Sequence, residues 1–236
     1  PNDLKNLTRS FPGCLNGTVT ERIAFILTQK IIKRSDFVID IHAGDGNESL
    51  RPSYSAYYAE AGGEEVIRLS RRIAIAFGLK TIVLFSGSYD SVEDAIYTSS
   101  QAVTLGIPAI DVESGERGLI DGQYVDPIIV GVINVMRELE MIDGSPESNE
   151  NPLFISDRVC LKSGDNGIWS PDSLVKTGDY INAGTRLGVI SDYHGTELET
   201  ITAPESGVLL VFIVSPPINK GEDIAVIGKL SAERDL

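Results

Sequence analysis

The sequence predicts an α/β fold, with a mostly parallel sheet covered by helices on both faces, followed by a C-terminal all-β module. Two observations support this prediction. In residues 1–142, short apolar segments typical of strands alternate with longer segments of helical periodicity, which is the pattern of βαβ crossovers. After residue 152 that periodicity ends, and short apolar segments are separated by turns rich in Gly, Pro, Asn and Asp.

The elements of the first part are marked by apolar spacing and by residues typical of element ends. Thr18 and Thr20 are candidate N-caps of the first helix and Ser91 of the third, while Gly78 and Gly106 follow the second and third helices. The predicted strands are almost continuously apolar, as expected of strands that are buried on both faces. In chain order, the predicted elements are a helix at 18–34, a strand at 37–41, a helix at 64–77, a strand at 81–85, a helix at 91–105, a strand at 107–113 and a helix at 126–142.

The C-terminal part, residues 153–236, contains an internal repeat and follows a polar segment, DGSPESNENP (143–152), that predicts a linker. INAGTRLGVI (181–190) and INKGEDIAVI (218–227) share a pattern at an offset of 37 residues, which is typical of a pseudo-symmetric β-sandwich. The module resembles the barrel-sandwich of biotinyl and lipoyl domains, which carry a cofactor on a hairpin lysine. The corresponding segment, DYHGTELETI (192–201), has no lysine, so the resemblance predicts the fold and not a carrier role.

Charge and cysteine content argue against several classes of function. The formal net charge of −14 disfavours a nucleic-acid partner, since binding to a phosphate backbone needs clustered Lys and Arg. No apolar segment reaches the roughly 18 residues of a membrane span, so no membrane partner is expected. Cys14 and Cys160 lie far apart and without metal-binding spacing, which predicts a reducing, cytoplasmic location.

Two ionisable residues at the ends of predicted parallel strands are the candidates for chemistry. His42 follows FVIDI (37–41), and Glu113 ends IPAIDVE (107–113). Because the carboxyl ends of parallel strands meet at one edge of a sheet, both side chains are expected there. An imidazole suited to zinc and a carboxylate suited to proton transfer indicate metal-assisted hydrolysis. A strand-end histidine is also common as a structural residue, so the pattern alone leaves both interpretations open.

Three segments in a fixed order resemble the succinylglutamate desuccinylase/aspartoacylase family, which belongs to the wider zinc carboxypeptidase group. They are DLKNLTRSFPGCLNGTVTERIA (3–24), DFVIDIHAG (36–44) and GIPAIDVESG (106–115), and the glycine-rich β module follows them. The resemblance covers nearly the whole chain. It implies a zinc-dependent deacylase that hydrolyses the amide bond of an N-acyl amino acid or a related small amide.

The resemblance implies a zinc site and a proton-transfer group. It makes His42 a zinc ligand and Glu113 the general base and then the general acid. The family's other two zinc ligands form a His-x-x-Glu pair upstream of the first segment, so an N-terminal section of the protein is expected to be missing from this sequence. The His-x-x-Glu spacing of His194 and Glu197 falls within the β module, where a surface hairpin is expected.

The resemblance also implies substrate contacts, and here the sequence departs from the family. The family's Asn-Arg pair, which holds a substrate carboxylate, corresponds to Thr8 and Arg9. Tyr97 matches a substrate-contacting tyrosine, although packing on a helix face is an equal alternative. Gln101 stands where an arginine is expected, which argues against an N-acylaspartate substrate.

Two further arginines, Arg51 and Arg117, lie in the loops after the strand ends and either aid an anionic substrate or are solvated.

The sequence therefore predicts an α/β zinc-hydrolase domain at 1–142, a linker at 143–152 and a β module at 153–236 that narrows the entrance to the site. The predicted partner is a small-molecule N-acyl substrate, and a homo-oligomer is left open. Two alternatives to the deacylase remain. One is a carboxypeptidase-like peptidase acting on small peptides, and the other is a non-catalytic binding protein or an inactive fragment.

Overall fold

The computed structural model describes residues 2–147, 149 and 151–231, which form four α-helices and thirteen β-strands. The helices are α1 (Val19–Lys30), α2 (Glu64–Ala76), α3 (Thr98–Thr104) and α4 (Gly122–Glu138). The strands before α4 are β1 (Val38–His42), β2 (Glu48–Leu50), β3 (Tyr54–Tyr58), β4 (Thr81–Phe85) and β5 (Ala109–Glu113). Those after it are β6 (Leu153–Lys162), β7 (Gly167–Pro171), β8 (Tyr180–Ile181), β9 (Arg186–Ser191), β10 (Glu197–Thr202), β11 (Gly207–Ile213), β12 (Pro217–Ile218) and β13 (Asp223–Leu230). None of these described helices combines the length and apolar character that a membrane span requires.

A nine-stranded sheet runs through both halves of the chain. Its spatial order is β1, β5, β3, β4, β6, β13, β11, β2, and β8 also pairs with β11. The β1–β5, β3–β4 and β4–β6 pairs are parallel, whereas β3 and β5 are antiparallel. Every pair beyond β6 is antiparallel. The predicted mostly parallel sheet is therefore confirmed in the α/β part, and the sheet as a whole is mixed.

Helices cover both faces of this sheet, because successive residues of a strand point to opposite sides. Ile110 of β5 packs with Ile73 of α2 in a cluster that also includes α4. Its neighbour Ala109 packs in a separate cluster with Ala24 of α1 and Val103 of α3. The face under α1 and α3 is the one on which the polar residues of β1 and β5 lie.

A second sheet, in the order β10, β9, β7, β12, packs against the C-terminal part of the first. Trp169 of β7 lies at the centre of this contact, with its ring edge-on to Phe212 of β11 at 5.8 Å. Its indole N–H donates to the carbonyl oxygen of Ile213 at 2.8 Å, which satisfies the buried polar atom. The C-terminal part is thus built from two packed sheets, and its identity as a biotinyl-type barrel-sandwich stays a prediction.

The predicted helix at 91–105 is wrong in its first half, since α3 covers only the second half. The Ser91 hydroxyl donates to the Asp94 carboxylate in a local turn, and the Gln101 side-chain amide donates to the Val92 carbonyl oxygen. These side-chain bonds offer the backbone an alternative to the helix.

The sequence also failed to predict β2 and β3. All five residues of β3, YSAYY, are buried, so the strand lacks the alternation that marks a half-buried strand. β2 has three residues and forms by pairing with the distant β11. The bounds of the first and fourth helices also differ: the first ends at Lys30, before a 3₁₀ turn at Ile32–Arg34, and the fourth begins at Gly122 and ends at Glu138.

The predicted linker at 143–152 includes positions 148 and 150, which lie outside the described residues, as do positions 232–236 of the predicted β module. Hydrogen bonds of the main sheet join the chain on the two sides of the linker. Thr81 of β4 lies opposite Leu153 of β6 in a parallel pair. One sheet therefore continues across the linker, and the division into two domains stays a prediction.

A buried carboxylate, that of Glu116 in the loop that follows β5, joins separate segments of the chain. It accepts hydrogen bonds from Arg51 at 2.7 Å, from Ser49 of β2 at 2.6 Å and from Tyr124 of α4 at 2.8 Å. The Ser49 hydroxyl also bonds that of Thr177 in the C-terminal half, at 2.8 Å. Burial favours a higher pKa for Glu116, but the bonds from Arg51, Ser49 and Tyr124 outweigh it and lower the pKa to about 2.

Replacement of Gly131 by alanine is expected to destabilise the protein. A Cβ at this position of α4 would overlap three atoms of the buried Phe77 ring. Alanine would gain about 1 kcal/mol of helix propensity, but overpacking of a core costs roughly 1–3 kcal/mol. Urea unfolding should therefore show a net loss of stability. Gly46→Ala is the control, because a Cβ there meets nothing within 4 Å.

Replacement of Glu116 by glutamine is expected to change the pH dependence of stability. A carboxylate with a lowered pKa stabilises the fold above its unfolded pKa, and this contribution is lost as the pH falls through the folded value of about 2. The lowered pKa corresponds to about 3 kcal/mol, so Glu116→Gln should be less stable than the native protein at pH 7, and the gap should narrow from pH 5 to pH 2. Urea unfolding at several pH values measures this gap.

Glu65→Gln is the matched control for that measurement, because Glu65 pairs with Arg68 on the exposed surface. An exposed pair contributes little, so its removal should leave stability almost unchanged. If the difference in unfolding free energy between the native protein and Glu116→Gln stayed constant over the acid range, the lowered pKa of Glu116 would be contradicted.

Candidate active site

A cavity of about 380 Å³ opens at the carboxyl ends of β1 and β5, and we call it the strand-end cavity. Its lining combines carboxylates, an imidazole, two arginines and several aromatic rings. The lining residues are Thr8, Arg9, Asp40, His42, Tyr58, Phe85, Ser86, Tyr89, Tyr97, Asp111, Glu113 and Arg158.

The strand pairing brings His42 and Glu113 side by side. β1 and β5 are parallel neighbours, with His42 directly opposite Glu113 and Asp40 directly opposite Asp111. Residues two apart on a strand point to the same face, so all four side chains emerge on one side of the sheet. The two residues predicted for chemistry thus share one edge and one cavity.

The charges of this group perturb one another. The His42 Nε2–H donates to the Asp40 carboxylate at 2.8 Å. This bond raises the pKa of His42 to about 9, against the effect of burial, with further contributions from Glu113 and Asp111. Burial is also the main reason that the pKa of Asp111 rises to about 7. The group is an imidazole among three carboxylates in a partly dehydrated space.

The residues fit a divalent metal ion. Asp40, His42 and Asp111 each offer a ligand atom, and these atoms lie within 4.8 Å of one another. The Oδ2 atom of Asp111 is buried and accepts no hydrogen bond from the described residues, which is costly for a carboxylate oxygen. Imidazole nitrogen and carboxylate oxygen are ligands that zinc and related metals prefer.

Glu113 lies next to these three candidate ligands but is not one of them. Its side chain is half-buried, and burial is the main reason that its pKa rises to about 7. The nearby His42 acts in the opposite direction and favours the ionised form of Glu113. The arrangement puts a carboxyl group that is able to take up and release a proton beside the ligand cluster.

Three of the four residues predicted to contact substrate also line the strand-end cavity. Thr8 and Arg9 belong to a 3₁₀ turn, Leu7–Arg9, and Tyr97 is the N-cap residue of α3. Gln101, by contrast, is fully buried in α3 and donates to a backbone carbonyl, so it does not line the cavity.

Three further lining residues, Arg158 and the two aspartates, were not predicted from the sequence. Asp40 and Asp111 stand two residues before His42 and Glu113, so strand periodicity alone was enough to place them on the same face. Arg158 had no such indication, because it belongs to β6, in the part of the chain predicted to be a separate module. Its guanidinium lies 4.4 Å from the centre of the Phe85 ring.

The remaining histidine lies away from this cavity. His194 is in an exposed turn between β9 and β10, where its backbone N–H donates to the Asp192 carboxylate. The predicted surface hairpin is confirmed.

Comparison with known proteins shows which fold this is. No family model matches the chain. The N-alpha-acetyl-L-2,4-diaminobutyric acid deacetylase of Halomonas elongata is 24% identical over 237 residues, which cover 98% of this chain and 67% of that protein.

Two solved structures have closely similar backbones. The product-bound ectoine utilization protein EutE of Ruegeria pomeroyi aligns with a TM-score of 0.84 and 21% identity, over 97% of this chain and 68% of that one. The succinylglutamate desuccinylase/aspartoacylase of Rhodobacter sphaeroides aligns with a TM-score of 0.84 and 18% identity, over 99% and 70%. The resemblance predicted from the sequence is therefore confirmed: the structural neighbours are succinylglutamate desuccinylase/aspartoacylase family proteins, and the chain has their fold.

Proposed function

We propose that this protein is a zinc-dependent hydrolase that cleaves the amide bond of an N-acyl amino acid or a related small amide. The observation that carries the proposal is the placement of His42 and Glu113 on adjacent parallel strands, in one cavity with two arginines. A cavity of about 380 Å³ suits a small molecule. The names of the similar proteins, a deacetylase and a desuccinylase/aspartoacylase, point to the same class of reaction.

The ion would be held by His42 together with carboxylates that this chain supplies. Asp40 and Asp111 are the candidates, since their oxygens lie close to the imidazole. In the family that the sequence resembles, a His-x-x-Glu pair completes the ligand set. When bound, zinc supplies a Lewis acid that polarises the amide carbonyl and makes a water molecule more acidic.

Glu113 would move the proton in this reaction. Its carboxylate takes a proton from the attacking water and later gives it to the nitrogen of the departing amine. This role requires a carboxyl group that is next to the ligand cluster and open to the cavity, and Glu113 meets both conditions.

The two arginines and the aromatic residues would hold the substrate. Arg9 has the fork geometry that binds a carboxylate through two parallel hydrogen bonds. Arg158 belongs to β6, which is separated from β5 in the sheet by β3 and β4. Its stacking on Phe85 limits the conformational freedom of its side chain. Tyr58 packs edge-on against Phe85 and Tyr89, which gives the cavity an apolar wall against which the aliphatic part of a substrate packs.

Metal content and activity test the proposal together. His42→Ala should lose bound zinc, measured by elemental analysis of the purified protein, because the only imidazole of the cluster is removed. His194→Ala is the matched control and should keep its zinc, since His194 is the other histidine and lies in an exposed turn. Glu113→Gln should keep zinc and lose activity by roughly 10²–10⁴-fold.

The assay should compare N-acyl amino acids with short peptides, so that the deacylase is distinguished from a peptidase. Absence of zinc from the native protein, and from any N-terminally longer form that supplies a His-x-x-Glu pair, would defeat the enzyme proposal in favour of a binding protein.

Replacement of Arg158 by glutamine should raise KM by about tenfold for substrates with an anionic group near the cavity mouth, with little change in kcat. The guanidinium would bind the substrate equally well before and during the reaction, so its loss weakens binding only. Arg186→Gln removes a charge from the exposed surface of β9 and should have no effect. An unchanged KM in Arg158→Gln would exclude a role in substrate binding.

A further inference from the structure

A second cavity, of about 450 Å³, lies where the loop after β5 meets β2 and the segment before β8. We call it the basic cavity. It shares no lining residue with the strand-end cavity. Three cationic side chains, those of Arg51, Arg117 and Lys176, line it together with one carboxylate, that of Glu116. An excess of positive charge is unusual in a protein whose net charge is −14.

The carboxylate in this cavity is already hydrogen-bonded through both of its oxygens. One oxygen of Glu116 accepts from Arg51, Arg117 and Tyr124, and the other accepts from Ser49. Glu116 therefore holds the two arginines in place without exhausting their hydrogen-bonding capacity.

Donors remain for a ligand on all three cations. Arg51 uses its Nε and one terminal nitrogen, and its other terminal nitrogen donates to no described residue. Arg117 uses a single terminal nitrogen. Lys176 is exposed and makes no ion pair or side-chain hydrogen bond within the described part of the chain.

The backbone holds Arg117 in an unusual conformation. Its φ of 54° lies in the left-handed region, which residues with a side chain rarely adopt. The Arg117 N–H donates to the carbonyl oxygen of Glu48 at 2.9 Å, which joins the loop after β5 to the start of β2. Backbone strain of this kind is concentrated at ligand sites.

We propose that the basic cavity binds the phosphate group of a small phosphorylated molecule. Three cations from three separate segments suit a tetrahedral group with several charged oxygens, whereas a planar carboxylate is matched by one arginine fork. Val175 and Val214 also line the cavity and would contact the organic part of the ligand. The site is independent of the strand-end cavity, although its Arg117 lies only four residues after Glu113.

Inorganic phosphate is the probe for this site, with chloride at equal ionic strength as the reference. Calorimetric titration of the native protein should show saturable binding, and phosphate should raise the temperature of thermal unfolding, because a ligand of the folded state stabilises it. Lys176→Gln and Arg117→Gln should each weaken phosphate binding by about tenfold. Lys176 is exposed, so its replacement is compatible with folding, and Lys30→Gln on the exposed surface of α1 is the control for loss of one charge.

Two further measurements assign the phosphate to this cavity. Arg9→Gln and Arg158→Gln should leave phosphate binding unchanged, since both residues line the other cavity. Succinate should bind more weakly than phosphate. The proposal is overturned if binding is not saturable, if it survives Lys176→Gln and Arg117→Gln, if Arg158→Gln abolishes it, or if succinate binds as tightly.

Discussion

The parallel pairing of β1 with β5 determines where the imidazole and the three carboxylates of the strand-end cavity lie. His42 is opposite Glu113 and Asp40 is opposite Asp111, so one register places all four side chains on one face. A shift of one residue in either strand would send its two side chains into the cluster of Ile110 and α2 on the other face. The apolar residues between the ionisable ones therefore maintain the site, because they exclude the alternative register.

The same register creates an electrostatic problem that the described residues do not solve. Asp40, Asp111 and Glu113 bring three carboxylates to one imidazole, and Asp111 is buried with an unpaired oxygen. Burial raises the pKa of both Asp111 and Glu113, which is the usual sign that the ionised form lacks compensation. A divalent cation would supply that compensation, and binding energy at such a site also stabilises the fold. The electrostatic cost of clustering these carboxylates and the chemistry proposed for them thus have one origin.

Much of this could be predicted from the sequence, and the failures have physical causes. Alternating apolar and helical segments predicted the α/β class, and the ends of two strands predicted the meeting of His42 and Glu113. The helix at 91–105 was overextended because side-chain bonds of Ser91 and Gln101 to nearby groups compete with helical ones. β3 lacked the alternation that marks a strand because both of its faces are buried. Arg158 could not be placed, since its approach to the cavity depends on the pairing of β4 with β6, which no local pattern encodes.

Because β4 pairs with β6, both halves of the chain contribute side chains to the strand-end cavity. A β module joined only by a linker would narrow the cavity entrance from outside. Here β6 adds to the main sheet beside β4, so the half that carries the second sheet also places Arg158 on the wall of the cavity, over Phe85. The first half thus supplies the imidazole and the three carboxylates of the cavity, and the second supplies one of its two arginines. Thr177, through Ser49, links the same C-terminal half to Glu116, so the loop after Glu113 is also supported from that side. A change in the C-terminal half would therefore alter the positions of Arg158 and Glu113, while the pairing of β1 with β5 would still hold Asp40, His42 and Asp111 in place.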